Sequence, residues 1–373
     1  MFHHLAKSRP LLSRRLPQWR QCFSHGAARH PSDPLRILFC GSDEFSCESL
    51  KAAYEEHREN KGLIESLDVM VLPPKRMGRG FKTLREGEPI NLNGSEDLGL
   101  RIHQRETFTK WDLPDATNLI VAVSFGLFVP PRILRSAKYG GLNVHPSLLP
   151  DLRGPAPIHH AILRGYQHTG VSLQTLDAKA FDHGTVLAQT PRPGIPVPSD
   201  CTVQELTNLL APIGAQMLVQ GLRDGVHIPL SQNAGWKAGE IADEQLTHAP
   251  KVTKADGQVG WAQWTGEEFV RRVRVLGSVW THALNKKGEL KRLIIQDAEV
   301  VPLEEAAIYG GEVSFVQSPE LGLESPKFTA LLSDQCDGSC LIRVSNFDLV
   351  RVKRVKEEGK PERDAMVVLK SFK

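Results

Sequence analysis

The sequence predicts an α/β chain: a doubly wound, mostly parallel sheet, followed by a small β-rich domain. Three observations predict it. Short apolar runs alternate with helix-spaced segments from Leu35 to Arg223. One run, Asn118-Leu119-Ile120-Val121-Ala122-Val123, is apolar almost throughout, as a strand covered on both faces must be. Beyond Trp261, short segments between Leu290 and Phe347 are separated by turns such as Tyr309-Gly310-Gly311, a rhythm that suits a small barrel.

The elements follow in order. Arg36-Ile37-Leu38-Phe39-Cys40 reads as a buried strand. Gly41-Ser42 turns the chain, and either Ser42 or Asp43 can cap a helix from about Glu44 to His57. Asp68 to Leu72 is a second strand, and 118 to 123 is another. Pro130 and Pro131 open a helix, and the segment from Gly141 to Val144 starts the next strand. Pro155 to Arg164 is helical, and Val171 to Leu176 extended. Thr202 to Arg223 carries Val203, Leu206, Leu209, Leu210, Ile213, Met217 and Leu218 at helical spacing, which predicts packing back onto the sheet. Residues 231–260, rich in Gln, Gly, Ala and Lys, read as a linker. Gly266 to Val270 opens a short helix in the second domain.

At 373 residues the chain has room for two domains. The net charge of +3 conceals an asymmetry. Residues 1–32 hold Lys7, Arg9, Arg14, Arg15, Arg20 and Arg29 and no acid, the pattern of a mitochondrial transit peptide. Leu11-Leu12 is too short an apolar core for a secretory signal. Without those six cations, 40 basic residues face 43 acidic ones, so nucleic-acid binding would need local basic patches. No apolar run approaches the ~18 residues of a membrane helix, so no membrane partner is expected. The six cysteines form no Cys-x-x-Cys pair, which argues against a zinc ribbon, and no metal is expected. Cys336 and Cys340 flank Asp337-Gly338-Ser339 and read as a hairpin turn. Gly41 is not followed by the Gly-x-Gly-x-x-Gly spacing, so a dinucleotide site is rejected.

Chemistry concentrates in Asn143-Val144-His145-Pro146-Ser147-Leu148-Leu149-Pro150-Asp151-Leu152-Arg153-Gly154. This run puts an amide, an imidazole and a guanidinium around a rigid turn at a strand's end, where open sheets bind ligands. Asp182-His183-Gly184 adds a carboxylate on a second turn. An amide donor, an acid/base and a carboxylate suit the movement of an acyl group. Arg153 can lock the loop through carbonyls or a carboxylate, or reach substrate. His183, His159 and His160 are not expected to act in catalysis.

The run resembles the Asn-x-His-x-Ser-Leu-Leu-Pro signature of the 10-formyltetrahydrofolate-dependent formyltransferases, and the likeness extends from about Leu35 to the C-terminus. Within that family the nearest likeness is to members that formylate methionyl-tRNA in mitochondria. The family often has an aromatic residue where this chain has Leu152. The resemblance implies catalysis by Asn143, His145 and Asp182. It implies 10-formyltetrahydrofolate as formyl donor, with Ser147, Leu148, Leu149 and Pro150 beside the reduced folate. Ser124 and Gly126, ending a neighbouring strand, are further candidates for the same cleft. It also implies an oligonucleotide-binding-type barrel at the C-terminus. The acid-free N-terminus leads to an expected matrix location, and a monomer is expected. The expected divisions are a transit peptide at 1–32, a catalytic domain at 33–230, the linker at 231–260 and a tRNA-binding barrel at 261–373.

Lys75, Arg76, Arg79, Lys82 and Arg85 fall in a Gly- and Pro-containing stretch with no acid, which suits a loop that meets phosphate, with Phe81 placed to stack on a base. The resemblance implies that such a basic insertion contacts the acceptor end of a tRNA. Arg271, Arg272 and Arg274, and then Arg351, Lys353, Arg354 and Lys356, are further candidate phosphate contacts. Two other readings stand beside this one: a formyltransferase of the same fold acting on a nucleotide-linked amine, and a non-catalytic RNA-binding protein with a formyltransferase-like domain.

Overall fold

The computed structural model describes residues 32–73, 98–228, 232–302, 311–316, 327–334, 337–344 and 348–372. The expected transit peptide (apart from Ser32), the basic stretch Lys75, Arg76, Arg79, Lys82 and Arg85 with Phe81, and Cys336 lie outside the described residues.

The N-terminal unit contains β1 (Leu35–Gly41), α1 (Glu44–Glu59), β2 (Ile64–Val71), β3 (Ile102–Gln104), β4 (Leu119–Val123), α2 (Pro131–Ser136), β5 (Gly141–His145), α3 (Pro157–Leu163), β6 (His168–Thr169), β7 (Ser172–Thr175), β8 (Val186–Gln189), β9 (Ile195–Pro196) and α4 (Val203–Arg223). Seven strands form one sheet in the order β3-β2-β1-β4-β5-β7-β8. The five strands from β3 to β5 run parallel, and β7 and β8 are antiparallel to their neighbours. Every residue of β4 is buried, as its apolar run requires. Along β1 the pleat sends Leu35, Ile37 and Phe39 into one core and Leu38 and Cys40 into another on the opposite face.

Helix α1 begins on Asp43, whose carboxylate accepts the Ser46 N–H at 2.9 Å while Ser46 Oγ meets the Asp43 N–H at 3.0 Å. Asp43, not Ser42, is therefore the cap. Helix α4 packs along α1 over one face of the sheet. Glu56 of α1, 3% exposed, is gripped by the Arg223 guanidinium of α4, which holds its carboxyl below the usual range.

His227, just after α4, is buried edge-on against Tyr139, with rings 5.1 Å apart, and bonds Ser32 Oγ at 2.9 Å. Burial pushes its pKa down to about 4. The unfolded chain therefore binds the extra proton more readily, so stability contributed by the neutral ring is present above pH ~6.5 and is lost as pH falls toward 4. Unfolding in urea should show stability falling by roughly 1–3 kcal/mol across that window beyond the change seen in His227→Gln. Parallel pH profiles for the two proteins would refute this.

The C-terminal unit contains α5 (Gly266–Leu276), β10 (Val279–Leu284), β11 (Leu290–Val301), β12 (Gly311–Val316), β13 (Lys327–Asp334), β14 (Cys340–Arg343), β15 (Leu349–Glu357), β16 (Arg363–Asp364) and α6 (Ala365–Leu369). Its strands pair antiparallel in the order β11-β10-β12-β13-β14-β15-β16, and β11 pairs again with β15, so the ladder curls round on itself. This is the small barrel the turn rhythm predicts. Its core centres on Trp261, stacked 4.1 Å from Phe315 with its indole N–H on Thr281 Oγ1 at 2.9 Å. Asp337-Gly338-Ser339 forms the expected hairpin turn: Gly338 has φ +80 and Ser339 bonds Asp337 Oδ1.

The expected linker is not a free tether. Ala234 N–H bonds Val186 O at 2.8 Å, and the Trp236 indole bonds Thr190 O at 2.7 Å. The stretch therefore runs along the edge of the N-terminal sheet. Two of the three arginines of α5, Arg272 and Arg274, are already engaged. Arg274 donates to Ser199 O and Cys201 O, Arg271 lies over Gly165, and Arg272 pairs with Glu268 above the Trp264 ring. Arg274 ties the barrel's helix to the N-terminal unit, and Arg272 is engaged on its own helix, so neither stands ready as a bare phosphate contact.

Candidate active site

Strands β1, β4 and β5 all end on one side of the sheet, where the chain order reverses and a crevice must open. A cavity of about 590 Å³ occupies that crevice. Its size and mostly apolar walls suit a flat, drug-sized ligand fixed by a few polar groups. Asn143 and His145 reach it from β5, and Asp182 from the turn between β7 and β8.

The three side chains meet. The Asp182 side chain is only 8% exposed. Its Oδ1 accepts Asn143 Nδ2 at 3.1 Å and lies 3.4 Å from His145 Nδ1. Its Oδ2 accepts the Gly154 backbone N–H at 2.9 Å. Two partners had no signal in the sequence. Gln174 on β7 donates to Oδ1 at 3.1 Å, and the Gly154 amide arrives only because the loop folds back. Arg153 resolves to a loop lock: its Nε donates to Asp182 O at 2.9 Å. Asp182 sits at φ +57, a region aspartate tolerates better than most residues.

His145 is 5% exposed and its Nε2 faces Leu152 O at 3.0 Å. A carbonyl only accepts, so that contact places a hydrogen on Nε2 and turns Nδ1 toward the Asp182 carboxylate. Asn143 spends one amide hydrogen on Asp182 and has a second to offer. The site thus presents a donor, an imidazole and a carboxylate at one wall of a largely apolar cavity.

Ser124, at φ +48, and Gly126, at φ +76, line the cavity. Ser147, Leu148, Leu149 and Pro150 do not. Their turn points away, toward β7 and β8: Ser172 Oγ donates to Ser147 O at 2.7 Å and Gln189 Nε2 to Leu149 O at 2.8 Å. Those contacts bury Ser147, Leu148 and Leu149 and make the turn a support behind the wall. His160 is also structural, bonding Pro250 O at 2.9 Å, and His183 is exposed on Phe181 O. His159 lines the cavity, where burial and neighbouring His160 lower its pKa and favour the neutral ring. Asp43 shares the wall, and burial pushes its carboxyl up despite the capping bonds. Phe128 and Phe181 meet edge to face, 5.2 Å apart, with Phe181 56% exposed. Among the described residues no group of three or more His, Cys, Asp or Glu could hold a metal.

On the barrel, Arg351 and Lys353 share Glu299, and Arg354 pairs with Glu362 and Asp364. Exposed pairs of this kind are worth at most ~1 kcal/mol, so a phosphate can exchange for a carboxylate there. Lys356, half-buried on β15, sits opposite Ile294.

The pattern that defines the Formyl transferase family matches residues 35–222, from β1 to the end of α4. Mitochondrial methionyl-tRNA formyltransferase of Bos taurus is 34% identical over 266 residues, 70% of this chain and 62% of that protein. Mitochondrial methionyl-tRNA formyltransferase of Saccharomyces cerevisiae is 30% identical over 318 residues, 74% of this chain and 77% of that protein. The chain thus spans about six-tenths of the length of the bovine relative. Among solved structures, a sugar 3N-formyltransferase determined in the presence of dTDP and 5-N-formyltetrahydrofolate matches with a TM-score of 0.51 at 12% identity, covering 88% of this chain and all of that one. An N-formyltransferase from Helicobacter canadensis in complex with folinic acid and dTDP-3-aminofucose gives 0.51 at 13% identity, over 85% of this chain and 98% of that one. These two establish likeness of fold. With the defining pattern covering the whole α/β unit, and the yeast relative matched over three-quarters of both chains, this chain belongs to the formyl transferase family.

Proposed function

We propose that the protein transfers the formyl group of 10-formyltetrahydrofolate to the amino group of methionyl-tRNA. The observation that carries the reading is the Asp182 carboxylate, buried at the cavity wall with Asn143 and His145 on the same oxygen. In the reaction the amine attacks the formyl carbon, a C–N bond forms and the carbonyl oxygen becomes an oxyanion. The second Asn143 N–H is the donor at hand, and one such donor is typically worth ~3–4 kcal/mol. The amine then sheds a proton and N10 of the folate gains one as its bond to carbon breaks. His145 and Asp182 carry those protons, directly or through water. Ser124 and Gly126 border the folate, with the turn from Ser147 to Pro150 as their backing. The identity of the amine rests on the named activities of the bovine and yeast relatives.

The acid-free N-terminus, together with those mitochondrial relatives, supports import into mitochondria and the division into transit peptide, catalytic domain, linker and barrel given above. Residues 1–35 fused to a reporter should carry it into the matrix, and a reporter left in the cytosol would refute import. The decisive assay incubates the chain lacking residues 1–32 with 10-formyltetrahydrofolate and a set of aminoacylated tRNAs. Formyl-methionyl-tRNA is the expected product. Formylation of nucleotide-linked amines alone, or of nothing, would overturn the reading.

Lys75, Arg76, Arg79, Lys82, Arg85, Arg351, Lys353, Arg354 and Lys356 are proposed to meet tRNA phosphates. The double variant Arg76→Ala, Arg79→Ala should weaken tRNA binding. It should also flatten the log–log dependence of affinity on salt, by up to about one unit of slope for each phosphate no longer neutralised. Folate affinity should not change. Identical salt slopes for parent and variant would show that the stretch is only solvated.

A further inference from the structure

The catalytic loop has two sides. Toward the cavity, Leu152 O takes the His145 Nε2 hydrogen, Gly154 N–H holds Asp182 Oδ2, and Arg153 Nε holds Asp182 O. Away from the cavity, the same three residues are laced to Thr247, His248 and Ala249, in the stretch that leads to the barrel. Leu152 N–H donates to Thr247 O at 2.7 Å and Ala249 N–H to Arg153 O at 2.7 Å, and Arg153 and His248 form a parallel bridge. Gly154 lies so close to Ala249 that a Cβ would stand 2.5 Å from its carbonyl oxygen. Asp151 secures the start of this strap: it is 5% exposed, and its Oδ1 accepts the Thr247 N–H at 2.9 Å.

The loop needs this hold. Leu152 sits at φ +56 and Gly154 at φ +122, and Leu152 in particular occupies a region L side chains rarely adopt. Such a backbone persists only when its surroundings over-determine it. The strap continues through Pro250, whose carbonyl holds His160, to Val259, whose N–H joins Trp280 of the barrel.

We infer that Asp151 is a positioning residue for formyl transfer. It anchors the segment 247–249 against the loop, and that segment fixes the two backbone groups that orient His145 and Asp182. The inference rests on the formyl-transfer reading of the site. It gives the stretch between sheet and barrel a part in catalysis that a passive linker would not have.

The test uses the full chain without residues 1–32. Asp151→Ala should lower kcat at least ~10-fold, since a misplacement of about 1 Å can cost ~10²-fold, with KM for 10-formyltetrahydrofolate within about twofold of the parent. Asp151→Asn should restore kcat to within about threefold, because its amide oxygen still accepts the Thr247 N–H. The His145 Nε2–H resonance, read by ¹⁵N-edited NMR without substrate, should move in Asp151→Ala and return in Asp151→Asn. Should Asp151→Ala fail to fold, Thr247→Pro deletes the same N–H from the other side and should reproduce the loss of kcat and the moved resonance. A parental kcat with unmoved His145 resonances would overturn the inference. So would an asparagine variant as impaired as the alanine one, since lost charge and not the lost tether would then be responsible. If the parent formylates no amine, the formyl-transfer reading falls, and the His145 resonances still decide the positioning role.

Discussion

His145→Ala should lower turnover by ~10²-fold or more, and Asn143→Ala and Asp182→Ala should each do the same. The expectation follows from one carboxylate oxygen that takes the Asn143 amide at 3.1 Å and faces the His145 ring at 3.4 Å. Removing the amide deletes a donor for the oxyanion. Removing the imidazole deletes the carrier of the proton. Removing the carboxylate frees both partners and also orphans the Gly154 N–H and the Gln174 amide. On the proposed mechanism the three groups act on one transition state, so the double variant His145→Ala, Asp182→Ala should be little slower than its worse single parent. Folate affinity should fall far less than turnover, since the cavity walls stay in place. His145→Ala also leaves Leu152 O without its buried donor, worth roughly 1–3 kcal/mol of stability, so activity is to be compared on protein shown to be folded. A folded His145→Ala enzyme with near-parental kcat would remove His145 from the mechanism.

Gly184→Ala should be the most damaging single methyl group among the described glycines of the N-terminal unit. Gly184 ends the Asp182 turn, and a Cβ there would stand 1.7 Å from Thr175 O and 2.6 Å from its carbonyl carbon. Both atoms are backbone of β7, pinned by Thr175 N–H on Thr185 O and Thr185 N–H on Thr175 Oγ1. Neither side can yield cheaply, so the turn must lift away from the strand. Overpacking of this kind costs ~1–3 kcal/mol and sometimes more. The greater effect falls on Asp182, two residues away, where a displacement of about 1 Å can cost ~10²-fold in kcat. Gly239→Ala is the control: a Cβ there meets nothing within 4 Å, so melting temperature and turnover should both hold. Equal behaviour of the two variants would show that the turn is compliant and that its fit against β7 does not set the position of Asp182.

The architecture was legible because it rests on local patterns. The unbroken apolar run of β4 can only be a strand covered on both faces, and the spacing from Val203 to Leu218 can only be a helix with one buried face. The antiparallel β7 and β8 carried no such signal, since strand direction is set by how the chain returns and not by composition. The same division holds at the site. Asn143 and His145 could be named because they stand in a recognisable run, and Asp182 because the family that run resembles carries a later aspartate. Their supports could not. Gln174 is one polar residue on a strand, and only the pairing of β5 with β7 brings it to Asp182. The turn from Ser147 to Pro150 reads as part of the cleft, yet its bonds to Ser172 and Gln189 direct it behind the wall. The arginines of α5 read as candidate phosphate contacts until the helix docks and Arg274 finds two backbone carbonyls. The stretch from 231 to 260 reads as a linker because it is rich in Gln, Gly, Ala and Lys, but its backbone N–H and C=O groups needed partners and found them along the sheet edge and the catalytic loop. Local chemistry fixes which side chains can act and which segments can form strands or helices. Which backbone amide faces which carboxylate depends on distant segments being brought together, as Thr247 is to Asp151, and that is decided only when the cores close.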